Sequence, residues 1–194
     1  MKKTILLLSL LLLVQSLLAQ KFYLSNSSKI KFFSEATLEN ISAINQKATA
    51  IIDFEKQEFA VKIPMRSFIF PVKLMQEHFN ENYVESGQFP YATFKGFFNK
   101  KVDLSQSTNA SLSVSGTMTI HGVSKMEIIQ GRITVDVPYK SVILESDFKI
   151  KLEDYNIKVP TVVFYKIAEK ISVNAQFILS PLTQGRSQII SSAN

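Results

Sequence analysis

From Asn109 to Val137 the chain reads NASLSVSGTMTIHGVSKMEIIQGRITVDV. Between Ala110 and Ile120 every even position is apolar or glycine, and every odd position carries a hydroxyl group. A period of two over this length predicts a β-strand with one dry face and one wet face. A glycine at position 122 predicts a turn, and strand-like residues resume from Met126. The whole stretch is therefore predicted to be a long hairpin.

Such a strand is longer than the usual five or six residues. Long, gently amphipathic, antiparallel strands are what a closed or nearly closed β-barrel needs, because each strand crosses the barrel at a tilt. Six more segments carry strand patterns. They are Ser27–Ala36, Ala48–Phe54, Phe59–Ile63, Tyr91–Asn99, Ser141–Leu152 and Ile171–Leu179. Because so many segments carry strand patterns, the chain is predicted to have an all-β fold.

Polar or irregular segments separate these strands. Leu38–Asn45 and Asp103–Asn109 are predicted loops, and Glu55–Glu58 is a predicted hairpin turn. The strands on the two sides of that turn are predicted to pair with each other. Pro64 is expected to end their pairing, because proline cannot donate to a strand ladder.

The pattern changes between Lys73 and Glu85. Apolar or weakly polar side chains recur there at spacings of three and four, which predicts a short amphipathic helix that caps one end of the barrel. The residues on its predicted inner face are Leu74, Met75, His78, Phe79 and Asn82.

Composition favours one globular domain with an apolar interior. The chain has 194 residues, of which 46% are hydrophobic, and 15 are phenylalanine. It has no cysteine, which excludes thiol catalysis, disulfides and thiolate metal sites. The net charge of +6 is spread along the chain and argues against a nucleic-acid partner. Transient contact with an anionic membrane surface stays open, and a dimer is compatible with the sequence.

The N-terminus has the pattern of an export signal over residues 1–19. Lys2 and Lys3 give the positive region, Ile5–Val14 is apolar, and Ala19 precedes a cleavage site. An uncleaved anchor is the alternative, although a membrane span needs about twenty apolar residues. We therefore expect a periplasmic or secreted protein with its folded domain at 20–182 and a mobile tail at Thr183–Asn194.

Three segments together resemble the YceI-like family. They are Met75–Phe94, Val114–Lys125 and Phe148–Ile157, of which the second is the most specific. The third resembles the family's Arg-x-Asp-Phe-Gly-Ile element, with Leu152 in place of the arginine and Asn156 in place of the glycine. Asparagine is the next best residue for a left-handed backbone. The missing arginine removes any polar contact that it would make to a ligand or to the barrel.

The resemblance implies a lipocalin-like barrel of about eight strands that binds a polyisoprenoid in a bacterial envelope. Each buried CH₂ contributes roughly 0.8 kcal/mol, so a few isoprene units would bind without a charged anchor even after association costs of several kcal/mol. The expected ligand is thus an isoprenoid or other long-chain lipid, with no cofactor. The predicted lining residues are Phe59, Val61, Met75, Phe79, Leu112, Val114, Met118, Leu144, Phe148, Val173 and Phe177.

Two histidines are the remaining polar candidates. His121, at the hairpin bend, is expected to hold the turn or to make a polar contact at the barrel mouth, and His78 lies on the predicted helix. We predict no catalytic residue and no metal site, because no serine lies in a nucleophile elbow and no phosphate-binding glycine loop is present. The alternatives to a carrier are an envelope enzyme acting on a lipid or amide, with a histidine as base, and a solid barrel that serves as an interaction module.

Overall fold

The computed structural model of the chain describes residues 22–35, 40–158 and 168–182. Within these ranges ten β-strands form one antiparallel sheet. They are β1 (Phe22–Ser34), β2 (Ile41–Asn45), β3 (Thr49–Asp53), β4 (Glu58–Pro64), β5 (Phe68–Ile69), β6 (Tyr91–Phe98), β7 (Thr108–Ile120), β8 (Val123–Asp136), β9 (Ser141–Lys151) and β10 (Lys170–Pro181).

The sheet closes on itself because β1 pairs with β10 on one side and with β2 and β3 on the other. Among the described residues, eight strands form the closed wall in the order β1, β3, β4, β6, β7, β8, β9 and β10. β2 lies beyond β3 along β1 and pairs with the two-residue β5. This closed antiparallel barrel of eight strands confirms the predicted fold class.

The long hairpin is confirmed as well. β7 and β8 pair without interruption from Thr108 opposite Val135 to Ile120 opposite Val123. The turn between them consists of His121 at φ 51° and Gly122 at φ 73°. Two central residues with positive φ are what a two-residue type I′ turn requires, and that turn matches the twist of the strands.

Two glycines lie opposite each other where β6 and β7 approach most closely. Gly96 pairs with Gly116. A Cβ atom on Gly96 would lie 2.0 Å from the carbonyl oxygen of Ser115, and one on Gly116 would lie 2.3 Å from that of Lys95. No side chain fits at such distances, so these glycines permit the close approach of the two strands.

The prediction that Leu38–Asn45 is a loop was wrong for the part that the structure describes. Ile41–Asn45 forms β2, and it pairs with β1 from Ile30 opposite Asn45 to Ser34 opposite Ile41. The polar Asn45 hid the alternation, because it occupies a fully buried position. Its amide nitrogen donates to the carbonyl oxygen of Pro64 at 2.8 Å, and its side-chain oxygen accepts from the backbone of Lys47.

The capping helix is shorter than the predicted Lys73–Glu85. An α-helix, α1, spans Lys73–His78, and a π-helical turn continues it over Phe79–Tyr83. Leu74 and Asn82 are exposed, which corrects their predicted place on the inner face. No helix within the described ranges combines the length and apolar character needed to cross a membrane.

Other strand boundaries differ from the prediction as well. The first strand begins at Phe22 rather than Ser27, because an irregularity in its pairing with β10 between Ser25 and Ser27 breaks the alternation. β7 begins at Thr108, inside a predicted loop. The predicted signal at 1–19, the tail at 183–194 and Ala36 lie outside the described residues.

Candidate functional site

The barrel encloses a cavity of about 230 Å³ that is lined almost entirely by apolar side chains. This is larger than the roughly 150 Å³ apolar cavity that takes up a benzene molecule. The lining comes from alternate residues of the wall strands, since successive side chains of a strand point to opposite faces. On β7, for example, the even-numbered apolar residues point into the barrel, as the sequence pattern predicts.

All eleven apolar residues proposed from the sequence lie around this cavity. They are Phe59, Val61, Met75, Phe79, Leu112, Val114, Met118, Leu144, Phe148, Val173 and Phe177. Several are only half-buried within the protein, including Val114, Leu144 and Phe148, because the cavity itself leaves their inner surface open. The structure thus brings them together, and their contact with a ligand stays a prediction.

An aromatic cluster holds the capping segment against one end of the cavity. The ring of Phe79 stacks on that of Phe32 at 5.7 Å between centroids and lies 5.0 Å from that of Phe70 and 5.6 Å from that of Phe68. Aromatic pairs at these distances contribute about 0.5–1.5 kcal/mol each beyond their buried area. The cluster therefore fixes Met75 and Phe79 as part of the lining at this end.

Sequence reasoning missed several lining residues around that cluster. Met65, Phe68, Phe70 and Tyr83 all line the cavity and are buried. Met65, Phe68 and Tyr83 belong to a 3₁₀ turn at Met65–Ser67, to the two-residue β5 and to the π-helical turn, and Phe70 follows β5. These segments are too brief to show a period. The available signal was the alternation of the two phenylalanines after Pro64.

The two histidines occupy different places. His78 lies on α1 and lines the cavity. His121 lies at the tip of the β7–β8 hairpin with its side chain only 12% exposed. Its Nε2 atom is 2.7 Å from Oε2 of Glu85, its Nδ1 atom is 3.2 Å from the carbonyl oxygen of Tyr155, and its ring packs edge-on against Phe89. His121 therefore links the tip of the hairpin to Glu85, which follows the π-helical turn, and to Tyr155 after β9.

The segment after β9 is a 3₁₀ turn over Leu152–Tyr155 and not a continued strand. Glu153 and Asp154, which would point to opposite faces of a strand, therefore both lie on this turn. Leu152 is buried and lines the cavity, so this position adds apolar surface where the family pattern has an arginine. Asn156 adopts the left-handed conformation at φ 55°, as expected for a substitute for glycine.

Two polar contacts tie this turn to β8. The hydroxyl of Tyr155 donates to Oε1 of Glu127 at 3.0 Å, and the ammonium of Lys125 lies 2.7 Å from Oδ1 of Asp154. Burial of the phenol, followed by its hydrogen bond to Glu127, raises the pKa of Tyr155 above the ordinary value of 10.0. The hydrogen bond from Lys125 lowers the pKa of Asp154. Within the described ranges, no group of three or more potential metal-ligating side chains comes together.

Comparison with known proteins is consistent with this architecture. A family model described as YceI-like domain matches residues 24–179. A polyisoprenoid binding domain from Saccharophagus degradans, implicated in plant cell wall breakdown, superimposes with a TM-score of 0.71 at 15% identity and covers 84% of this chain and 99% of its own. Burkholderia cenocepacia BcnA gives a TM-score of 0.65 at 14% identity, covering 78% of this chain and 95% of its own.

A mutant of the Campylobacter jejuni YCEI protein with a monobromobimane guest is also similar, with a TM-score of 0.60 at 18% identity over 77% of this chain and 90% of its own. Among curated proteins, none matches the chain at a significant level. At these identities the solved structures establish the shared fold. Because the family model covers most of the sequence, the chain belongs to the YceI-like family.

Proposed function

We propose that this protein is a carrier that binds an isoprenoid or other long-chain lipid inside its barrel. The observation that carries the proposal is the apolar cavity of about 230 Å³, which is lined by aromatic and aliphatic side chains from around the wall and from the capping segment. Its apolar lining suits a hydrocarbon chain and offers little to a polar substrate. The likeness to a polyisoprenoid binding domain supports the same ligand class.

The energetics fit such a ligand. Scaled from the roughly 150 Å³ cavity that takes up benzene, a cavity of about 230 Å³ has room for roughly nine or ten carbon atoms, or about two isoprene units of a chain. Burial of about ten carbon atoms at roughly 0.8 kcal/mol each gives about 8 kcal/mol before costs. Association and ordering take back several kcal/mol. The remainder supports binding without a charged anchor, in keeping with an apolar Leu152 at the position of the family's arginine.

The proposed role is binding without turnover. The two ring nitrogens of His121 contact Glu85 and the backbone of Tyr155. The ring is thus used to hold the hairpin.

We also propose that the protein works outside the cytoplasm, in a periplasm or after secretion. The pattern of residues 1–19 supports this, with two lysines before an apolar run and Ala19 at its end. The mass of the protein recovered from cells tests it: cleavage should leave a chain that begins at Gln20, whereas an intact Met1 terminus would contradict it.

The binding proposal is tested by mass spectrometry of an organic extract of the protein, purified from a bacterial envelope without detergent. We expect a long-chain lipid at about one molecule per chain. The substitution Leu144→Trp fills part of the cavity with a larger side chain, and it should remove most of the bound lipid. Ile143→Trp is the matched control, because the adjacent side chain on β9 points to the outer face. An empty extract from the wild type, also after incubation with lipid, would instead favour a solid barrel that serves as an interaction module.

A further inference from the structure

β8 and β9 form a continuous ladder over only part of their length. Their pairing runs from Asp136 opposite Ser141 to Gly131 opposite Ser146 and ends there. Beyond this point, residues 123–130 of β8 pair with β7, and residues 147–151 of β9 pair with β10. Among the described strands, the wall thus divides between β8 and β9 above the Gly131–Ser146 pair.

The 3₁₀ turn after β9 closes the far end of this division. Tyr155 donates to Glu127, and Lys125 pairs with Asp154, so side chains bridge the two strands there in place of a backbone ladder. At about 3.3 Å per residue, the distance along β8 from Glu127 to Gly131 is roughly 13 Å. This length is large compared with the width of a hydrocarbon chain.

Residues at the base of the division contribute to the lining of the cavity. Gly131 and Ser146 belong to the inward-facing positions of their strands and line the cavity with almost no bulk. A Cβ atom on Gly131 would lie 2.5 Å from the carbonyl oxygen of Glu145, so a larger residue does not fit. Arg132 and Glu145 also line the cavity, although both side chains are exposed on the outer face.

Arg132 and Glu145 are direct cross-strand partners of opposite charge. Such partners usually attract each other, but here each side chain turns toward its other neighbour. Arg132 donates from Nη1 to Asn109 at 3.0 Å, and Oε1 of Glu145 accepts from Gln176 at 2.8 Å. Neither of these two hydrogen bonds joins Arg132 to Glu145. The guanidinium has five N–H donors and the carboxylate has two oxygens, so both retain capacity for a further group.

We propose that the cavity opens sideways between β8 and β9, and that the polar end of a bound long-chain molecule leaves it at the base of this opening, beside Arg132 and Glu145, which form the ladder pair next to Gly131 and Ser146. This inference rests on the proposed carrier function. A hydroxyl group accepts from the guanidinium and donates to the carboxylate, so it satisfies both. A phosphate would gain the contact with Arg132 but would also be repelled by Glu145. The preferred ligand is therefore a long-chain alcohol.

The test compares the binding of geranylgeraniol and of geranylgeranyl monophosphate, which share one chain, to the full protein by isothermal titration calorimetry. We expect the alcohol to bind about tenfold more tightly or better. Glu145→Gln removes the repulsion and should reduce this preference by about tenfold. Arg132→Gln should weaken both ligands and keep the alcohol preferred.

The position of the opening is tested by Ser146→Phe, which should weaken both ligands by about tenfold or more. Ser172→Phe, on the exposed face of β10, is the control and should leave both unchanged. Glu145→Gln is isosteric and exposed, so its result stands even if Ser146→Phe does not fold. Failure of both ligands to bind the wild type would overturn the carrier function. If the wild type bound both ligands tightly and equally, and Glu145→Gln did not change this, the placement of the polar end would be overturned. The carrier function would still stand.

Discussion

The Nε2 atom of His121 lies 2.7 Å from Oε2 of Glu85, and the opposite nitrogen of the same ring lies 3.2 Å from the backbone oxygen of Tyr155. One side chain at a hairpin tip thus joins the end of the capping segment to the turn after β9. Both partners offer acceptor oxygens, and each lies against a different nitrogen of the ring. The three segments that resemble the YceI-like family meet at this one residue.

Loss of this bridge should destabilise the barrel. We expect His121→Ala to reduce the free energy of unfolding by about 1–3 kcal/mol, because a mostly buried, charge-assisted contact is lost. His121→Asn should lose the same contacts but tolerate the positive φ of the turn, so it should cost less than alanine. Urea denaturation monitored by circular dichroism measures both.

The contribution of Glu85 to this contact can be compared with that of Glu77, which serves as a matched control. Glu85→Ala should cost about 0.5–1 kcal/mol, since its carboxylate is half exposed. Glu77→Ala removes the exposed ion pair with Lys73 on α1 and should cost no more than about 0.3–0.5 kcal/mol. Equal costs for the two substitutions would show that the bridge to His121 does not stabilise the fold.

Gly116 should not tolerate even alanine. A Cβ atom there would lie 2.3 Å from the carbonyl oxygen of Lys95, so β6 and β7 would have to separate. We expect Gly116→Ala to lower the stability by about 1–3 kcal/mol. Gly87→Ala is the control, because its Cβ would meet only the side chain of Arg66 at 3.5 Å. Thermal melts that shift equally for the two variants would contradict the close approach of the strands.

Stability should fall at alkaline pH. Burial and the hydrogen bond to Glu127 raise the pKa of Tyr155 in the folded chain above 10.0. Between the unfolded and the folded pKa only the unfolded chain loses the proton, so the stabilising contribution is complete below pH 10 and is lost as the pH rises further. The expected decline is up to about 1 kcal/mol per pH unit.

Tyr155→Phe should make this alkaline decline shallower. It should also cost about 1 kcal/mol at neutral pH through the lost hydrogen bond. Some decline should persist, because burial also raises the pKa of Tyr23 and Tyr83. Tyr139→Phe, at an exposed position, controls for the loss of a tyrosine hydroxyl. An alkaline slope that is the same in Tyr155→Phe and the wild type would contradict the assignment.

The barrel was predictable from the sequence because its strands obey one rule, an apolar face that alternates with a polar face. β7 shows this most clearly, and the lining of the cavity followed from the same alternation. β2 was missed because an inward position holds Asn45, whose polarity is compensated by hydrogen bonds to Pro64 and Lys47. Such long-range compensation leaves no local pattern in the sequence.

The side opening was not predictable either. It depends on where the pairing of β8 and β9 ends and on the direction in which Arg132 and Glu145 turn. In the sequence the two residues are an ordinary pair of opposite charges on adjacent strands. The capping segment was predicted as one helix, and its change to a π-helical turn at Phe79 reflects packing against three other aromatic rings.

The central claim is that a hydrocarbon chain lies inside the barrel, and tryptophan quenching by a brominated long-chain alcohol tests it most directly. The chain has no tryptophan, so Phe177→Trp places a single fluorophore in the cavity wall and Phe97→Trp places one on the outer face, where the side chain is 56% exposed. We predict saturable quenching of Phe177→Trp at about one ligand per chain and little quenching of Phe97→Trp. Equal quenching of both, or quenching of Phe97→Trp alone, would contradict the account.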